Sequence, residues 1–182
     1  MATMILLPDD TGVTSYQWVA VGEGTHHQCL DDDNDGTSYV KCTAAGREMT
    51  IEFANPSVAE ANIESITNVQ FISSGRAIHR TEPALVAIEF EAPAGVSAYS
   101  ETMSYDAHRA SYETINGTAR ITYDGIHDWT YANLEDLELK CTKITDTSPA
   151  PAVEVYLSYL ALRVTYVEAV SADNATFFGA NF

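Results

Sequence analysis

The segment Glu48-Met49-Thr50-Ile51-Glu52-Phe53 alternates polar and apolar residues without a break. That period of two constrains the fold more than any other feature of the chain. Met49, Ile51 and Phe53 fall on one face and Glu48, Thr50 and Glu52 on the other, the pattern of a half-buried antiparallel strand. Leu85-Val86-Ala87-Ile88-Glu89-Phe90-Glu91, lying between Pro83 and Pro93, repeats it with Val86, Ile88 and Phe90 on the apolar face. The longest apolar run, Val153 to Val167, also alternates but changes phase. Val153, Val155 and Leu157 come first, then Leu160, Leu162, Val164 and Tyr166. A bulge, or a strand covered on both faces, produces such a shift.

Further strands are expected at Tyr16–Val21, Thr37–Cys42, Val69–Ile72, Ala98–Tyr105, Ser111–Ile115, Ala119–Tyr123 and Leu137–Lys143. Ser73-Ser74-Gly75 reads as a strand stop, and Asn116-Gly117 as the turn of a hairpin. Ala59–Ile66 fits either a short helix or a loop. Thr130-Tyr131-Ala132-Asn133-Leu134-Glu135-Asp136-Leu137 is the best helical piece, with Asp128 or Thr130 as its cap and Leu134 and Leu137 on one face. There is no βαβ rhythm and no internal repeat. The expected fold is therefore all-β, an antiparallel β-sandwich of jelly-roll type with one short helix. Extended arms are expected at both ends, at residues 1–14 and 171–182, around a sandwich over 15–170.

A chain of 182 residues buries enough apolar surface to fold without a metal or disulfide staple. Its nine Lys and Arg stand against 26 Asp and Glu, for a formal net charge of −17. Binding along nucleic-acid phosphates needs many basic contacts, so nucleic acid is excluded as a partner, and anionic membrane is disfavoured for the same reason. Met1–Leu7 is apolar but too short and too poor in basic residues for a leader, and no stretch has the ~20 apolar residues of a membrane span. Cys29, Cys42 and Cys141 show no framework spacing and read as reduced thiols in or near the core. Cys29 and Cys42 flank one polar excursion, which permits a bond between them without predicting one.

That excursion carries Asp31-Asp32-Asp33-Asn34-Asp35-Gly36. Asp31, Asp33, Asp35 and Gly36 match positions 1, 3, 5 and 6 of a calcium loop. Position 12 is Cys42 where a bidentate Glu is required, and strands flank the loop, so an EF-hand is rejected. If any ion is held, it is calcium, with Asp31, Asp33 and Asp35 as ligands. Otherwise the carboxylates repel one another toward water or a basic partner. His26-His27-x-Cys29 matches no zinc spacing and reads as solvated loop histidines. Trp18 and Trp129, with ten tyrosines, could line a sugar-binding face, although Trp129 ahead of a helical turn reads first as a core plug. No nucleophile elbow or phosphate loop is present. Phe177, Phe178 and Phe182 in the polar tail suit a neighbour's groove, or fold back onto their own sandwich.

Three stretches, taken in order, resemble segments of small tailed-phage virion proteins of β-sandwich type. Asp31–Val40 resembles their acid-rich segment after a first Trp-containing strand. His127-Asp128-Trp129-Thr130-Tyr131-Ala132-Asn133-Leu134-Glu135-Asp136-Leu137 is similar to their segment opening on Trp-Thr. Ala152–Tyr156 through Val164-Thr165-Tyr166 resembles their terminal strand ending in V-x-Y. The resemblance spans roughly Tyr16 to Val167. It implies a non-enzymatic bacteriophage virion structural protein, a capsid decoration or cement protein or else a tail or fibre component. Such a protein resides in the virion, assembles in the host cytoplasm, and has as partners copies of itself and the major capsid protein or another virion protein. From a different class, a calcium-assisted carbohydrate-binding β-sandwich module is the alternative, with a glycan-cleaving enzyme a distant third.

Overall fold

The computed structural model of the chain describes residues 1–9, 17–22, 25–31, 37–79, 83–91, 99–106, 111–144 and 153–170. Among these, eleven strands form two antiparallel sheets. The first sheet holds β3 (Val19–Val21), β4 (Tyr39–Cys42), β11 (Glu154–Glu168), β6 (Ile63–Ile78) and β9 (Glu113–Asn116) in that order, and β1 (Ala2–Leu6) also pairs with β11. The second runs β2 (Pro8–Asp9), β5 (Glu48–Phe53), β10 (Glu138–Lys143), β7 (Ala84–Glu91), β8 (Tyr99–Tyr105). The pairs β7·β8, β6·β9, β5·β10 and β4·β11 are nested, like one eight-stranded hairpin rolled so that alternate pairs fall to opposite sheets. That nesting is the jelly roll the alternation predicts.

The core lies between the sheets. Met49, Ile51 and Phe53 of β5, Val86, Ile88 and Phe90 of β7, and Leu139 and Cys141 of β10 face the apolar side of β11. Ser158 is an extra residue between the paired positions Leu157–Gly75 and Tyr159–Ser74. This bulge shifts the inward set of β11 from Val155 and Leu157 to Leu160, Leu162, Val164 and Tyr166. The phase change in the sequence is this one residue. Along its other edge β11 meets β4 at Val155–Leu157 and β1 at Leu162–Tyr166. Between those two, its Leu160 N–H donates to the Leu30 carbonyl at 2.9 Å, so the loop at Leu30 closes the gap.

Trp129 is the expected core plug. It packs edge-on against Phe90 and Tyr123, with ring centroids 5.9 and 4.9 Å away, and its indole N–H donates to the Arg120 carbonyl at 3.1 Å. Helix α1 (Tyr131–Glu135) follows at once. Thr130 caps it, and Asn133 completes a reciprocal capping box, so the local chemistry anticipated from Thr130 sets its start. All three cysteines are free and buried.

Four local expectations change. Ser73-Ser74-Gly75 does not stop a strand but sits inside β6, buried. Small residues stand there because Tyr105 from the opposite sheet reaches across, and its hydroxyl shares a 2.7 Å hydrogen bond with Ser73. Asn116-Gly117 is not a hairpin. The chain continues along the same edge of β6, with Gly117 N–H donating to the Phe71 carbonyl and Arg120 exchanging bonds with Val69. Glycine is placed there by contact, since a Cβ would lie 2.9 Å from Met103 Cε and 3.0 Å from Glu101 Oε2. Ala59–Ile66 resolves into one 3-10 turn, Glu60–Asn62, running straight into β6. The N-terminal segment is extended, but its residues 2–6 and 8–9 are strands of the sandwich, with Met4 and Leu6 in the core. The C-terminal segment 171–182 lies outside the described residues.

Candidate functional site

Of the residues that the sequence nominates, Asp33, Asp35, Phe177, Phe178 and Phe182 lie outside the described residues. Asp31 is described and half-buried. No group of three or more His, Cys, Asp or Glu side chains poised to hold a metal ion occurs among the described residues. His26 and His27 are engaged locally, His26 Nε2 with the Trp18 carbonyl at 2.8 Å and His27 Nδ1 with Thr25 Oγ1 at 2.9 Å. Trp18 and Trp129 are 2% and 4% exposed, which removes both from any sugar-binding face.

The structure instead assembles a row that the sequence does not nominate. In β4, Val40 and Cys42 point into the core, so Tyr39 and Lys41 point outward. Lys41 stands directly opposite Val19 of β3 and Tyr156 of β11, and Tyr156 stands opposite Arg76 of β6. Residues opposite one another on neighbouring strands share a face. Val19, Lys41, Tyr156 and Arg76 therefore form one line across the outer face of the first sheet. Tyr112, just ahead of β9, extends it, because the Arg76 guanidinium lies 4.9 Å from the Tyr112 ring centre and 5.2 Å from that of Tyr156. Tyr39 packs on the other side of Tyr156 at 5.0 Å. Tyr156 is buried yet stands outside the core cluster, as do Ile72 and Ala161 of the same outer face.

Contacts within this strip also tune its electrostatics. The Tyr156 hydroxyl donates to the Glu154 carboxylate, and burial together with that carboxylate pushes the phenol up to about 12. Beyond the row, Arg163 donates to Gln70 at 3.1 Å, and Gln70 donates to the Gly117 carbonyl at 2.8 Å. Flat side chains already packed against one another have less conformational freedom to lose when a ligand arrives.

At the β3–β4 end the row opens into a depression of about 530 Å³ lined by Gln17, Val19, Lys41, Thr43 and Arg47. Its walls are pinned: the Arg47 carbonyl accepts from the Trp18 indole and the Lys143 N–H, each at 3.1 Å, and Gln17 N–H donates to the Glu48 carbonyl at 3.0 Å. The second sheet presents the opposite character. Asp9, Glu52 and Glu138 stand directly opposite one another across β2, β5 and β10. Lys140 beside them reaches Glu89 at 3.2 Å and Glu48 at 3.7 Å.

The tyrosine excess was the one sequence signal for the row. Its members come from five separate segments, and only the register of β3, β4, β11 and β6 aligns them.

No protein-family model matches the chain, and no curated protein matches it. Among solved structures, "Family 16 Carbohydrate Binding Module-2" is similar at a TM-score of 0.39 and 15% identity, covering 85% of this chain and 89% of that one. A second, "CBM4 structure and function", is similar at a TM-score of 0.32 and 9% identity, covering 72% and 75%. Likeness at this level fixes neither a ligand nor a site. The virion resemblance drew no support from these comparisons.

Proposed function

We propose that this chain is a non-catalytic binding module that takes a polysaccharide across the outer face of its first sheet. The observation that carries this reading is the line of contacting flat groups, Tyr39, Tyr156, Arg76 and Tyr112, with the Tyr39 ring tilted 54° to that of Tyr156. A pyranose ring offers an apolar C–H face and a polar hydroxyl rim, and a tyrosine strip edged by guanidinium and carboxylate matches both. Tyr156 is buried and supports the row from beneath, so the half-buried Tyr39, Lys41, Arg76 and Tyr112 around it present the contact surface. Neighbouring strands are ~4.8 Å apart, so Lys41 and Arg76, two strands apart, span about 10 Å of ligand, the width of a disaccharide. Affinity electrophoresis through gels containing single polysaccharides tests this. The wild type is retarded by at least one of them, and Tyr39→Ala/Tyr112→Ala is not, while both melt alike. Equal retardation of the two proteins removes the row as the site. Calcium enters this reading at Asp31, Asp33 and Asp35, and melts that coincide in calcium and in EDTA remove it.

A second reading, a subunit of a virion, rests on the sequence resemblance and on a separate feature. Ile121 and Ile126 are 72% and 80% exposed on a loop tied down by Asp124. The Asp124 carboxylate accepts from the Ile126 and His127 N–H groups at 2.9 and 2.7 Å and meets His127 Nδ1 at 2.6 Å. Rigid exposed isoleucines suit a protein neighbour. If copies of the chain are that neighbour, sedimentation velocity shows concentration-dependent oligomers that Ile121→Ser/Ile126→Ser abolishes.

A further inference from the structure

Cations are scarce in this chain, and their placement is uneven. Of nine Lys and Arg against 26 carboxylates, those in described segments are Lys41, Arg47, Arg76, Arg120, Lys140, Lys143 and Arg163. Lys140 is flanked by Glu48 and Glu89, Lys143 is buried, and Arg120 is half-buried with its main chain bridged to Val69 of β6. Lys41, Arg76 and Arg163 lie on the outer face of the first sheet, and Arg47 stands at the rim of the depression beside Lys41. Arg76 is stacked between tyrosines and Arg163 is bonded to Gln70. Lys41 and Arg47 differ from these: among the described residues neither side chain has an ion pair or hydrogen bond.

We propose that the Lys41–Arg47 depression is an anion subsite of the tyrosine row, so that the ligand is an acidic polysaccharide whose carboxylate or sulfate group sits there. This rests on the polysaccharide reading and narrows it. Three features support it. The depression adjoins the row directly, because Lys41 is the cross-strand neighbour of Tyr156. The turn carrying Arg47 is held by the Trp18 indole N–H and the Lys143 N–H, which both donate to the Arg47 carbonyl, and by the Gly46 N–H, which donates to the Lys143 carbonyl, so the guanidinium projects from a tethered base. A net charge of −17 repels an anionic chain everywhere else, and two uncompensated cations at one place convert that repulsion into selection of register.

The test is isothermal titration of the full chain and of Lys41→Gln/Arg47→Gln. The ligands are polygalacturonate, a sulfated galactan and a neutral β-glucan, each at low and at moderate salt. The wild type binds at least one acidic polymer roughly tenfold more tightly than the neutral one, and salt erodes that advantage. The variant, folded by its unchanged melt, loses the tenfold preference for the acidic polymer over the neutral one. Whether polygalacturonate or the sulfated galactan is preferred tells carboxylate from sulfate. Equal affinity of wild type and variant for every acidic polymer overturns the subsite and leaves the polysaccharide reading standing. Failure of all three polymers to bind overturns that reading and the subsite with it.

Discussion

Replacing Gly75 by alanine tests how the two sheets are fitted together. Gly75 lies in β6 opposite Leu157, beside the Ser158 bulge. A Cβ there would stand 2.6 Å from Tyr105 Cε1, 2.7 Å from Leu157 Cδ2 and 2.9 Å from Tyr105 Cδ1. Real carbon contacts do not approach so closely, so something must move. Tyr105 has no free direction, being fully buried, with its hydroxyl bound to Ser73 at 2.7 Å and its phenol raised by burial. Overpacking a filled core costs about 1–3 kcal/mol, and stretching the Tyr105–Ser73 bond leaves two buried polar groups short of a partner, about 1 kcal/mol more. A total near 3 kcal/mol lowers the melting temperature of a domain this size by roughly 6–12 °C. Gly46→Ala is the control: its φ is +72°, but nothing lies within 4 Å of the added Cβ, so only backbone strain of about 1 kcal/mol applies. Thermal melts and urea titrations of the two variants give the comparison. If Gly75→Ala melts no lower than Gly46→Ala, the close approach of Tyr105 to β6 is wrong.

Other consequences are smaller. Thr130→Ala removes the side-chain half of the α1 capping box, leaving only the backbone N–H at position 130 bonded to Asn133 Oδ1, and costs about 1 kcal/mol in urea titration. Lys140→Met deprives Glu48 and Glu89, on the strands either side of β10, of their shared cation and costs at most about 1 kcal/mol, a loss that shrinks in 1 M salt. Alkaline pH destabilises the fold through Cys141, whose thiol burial pushes up to about 12, and through Tyr156, likewise raised to about 12. The unfolded groups lose their protons near pH 8.5 and 10, earlier than the folded ones, so stability is intact below those values and falls as pH rises toward 12. Urea midpoints between pH 7 and 10 show this decline, and Cys141→Ala flattens it.

The fold was legible where local pattern and tertiary demand coincide. Glu48–Phe53 alternates because one face meets the core and the other water, and the single unpaired residue at Ser158 shows directly as a phase change in β11. Thr130 signals a cap because capping is a local bond. The misread places are those where small residues answer a distant contact. Gly117 makes room for Met103 and Glu101, and Ser73-Ser74-Gly75 for Tyr105. The row was hidden for a related reason: alternation gives the face of Tyr39 or Arg76, but only strand register makes Lys41, Tyr156 and Arg76 neighbours. The acidic run is conspicuous in the sequence, whereas the scarce cations line the candidate site.

The central claim is that the outer face of the first sheet is the binding surface. Its most direct measurement is the dissociation constant of wild type and of Tyr39→Ala/Tyr112→Ala for whichever polysaccharide retards the wild type most. The account predicts at least a tenfold loss, with the melting temperature held within a few degrees. Undiminished binding by the double variant, or no retardation of the wild type by any polysaccharide, contradicts it.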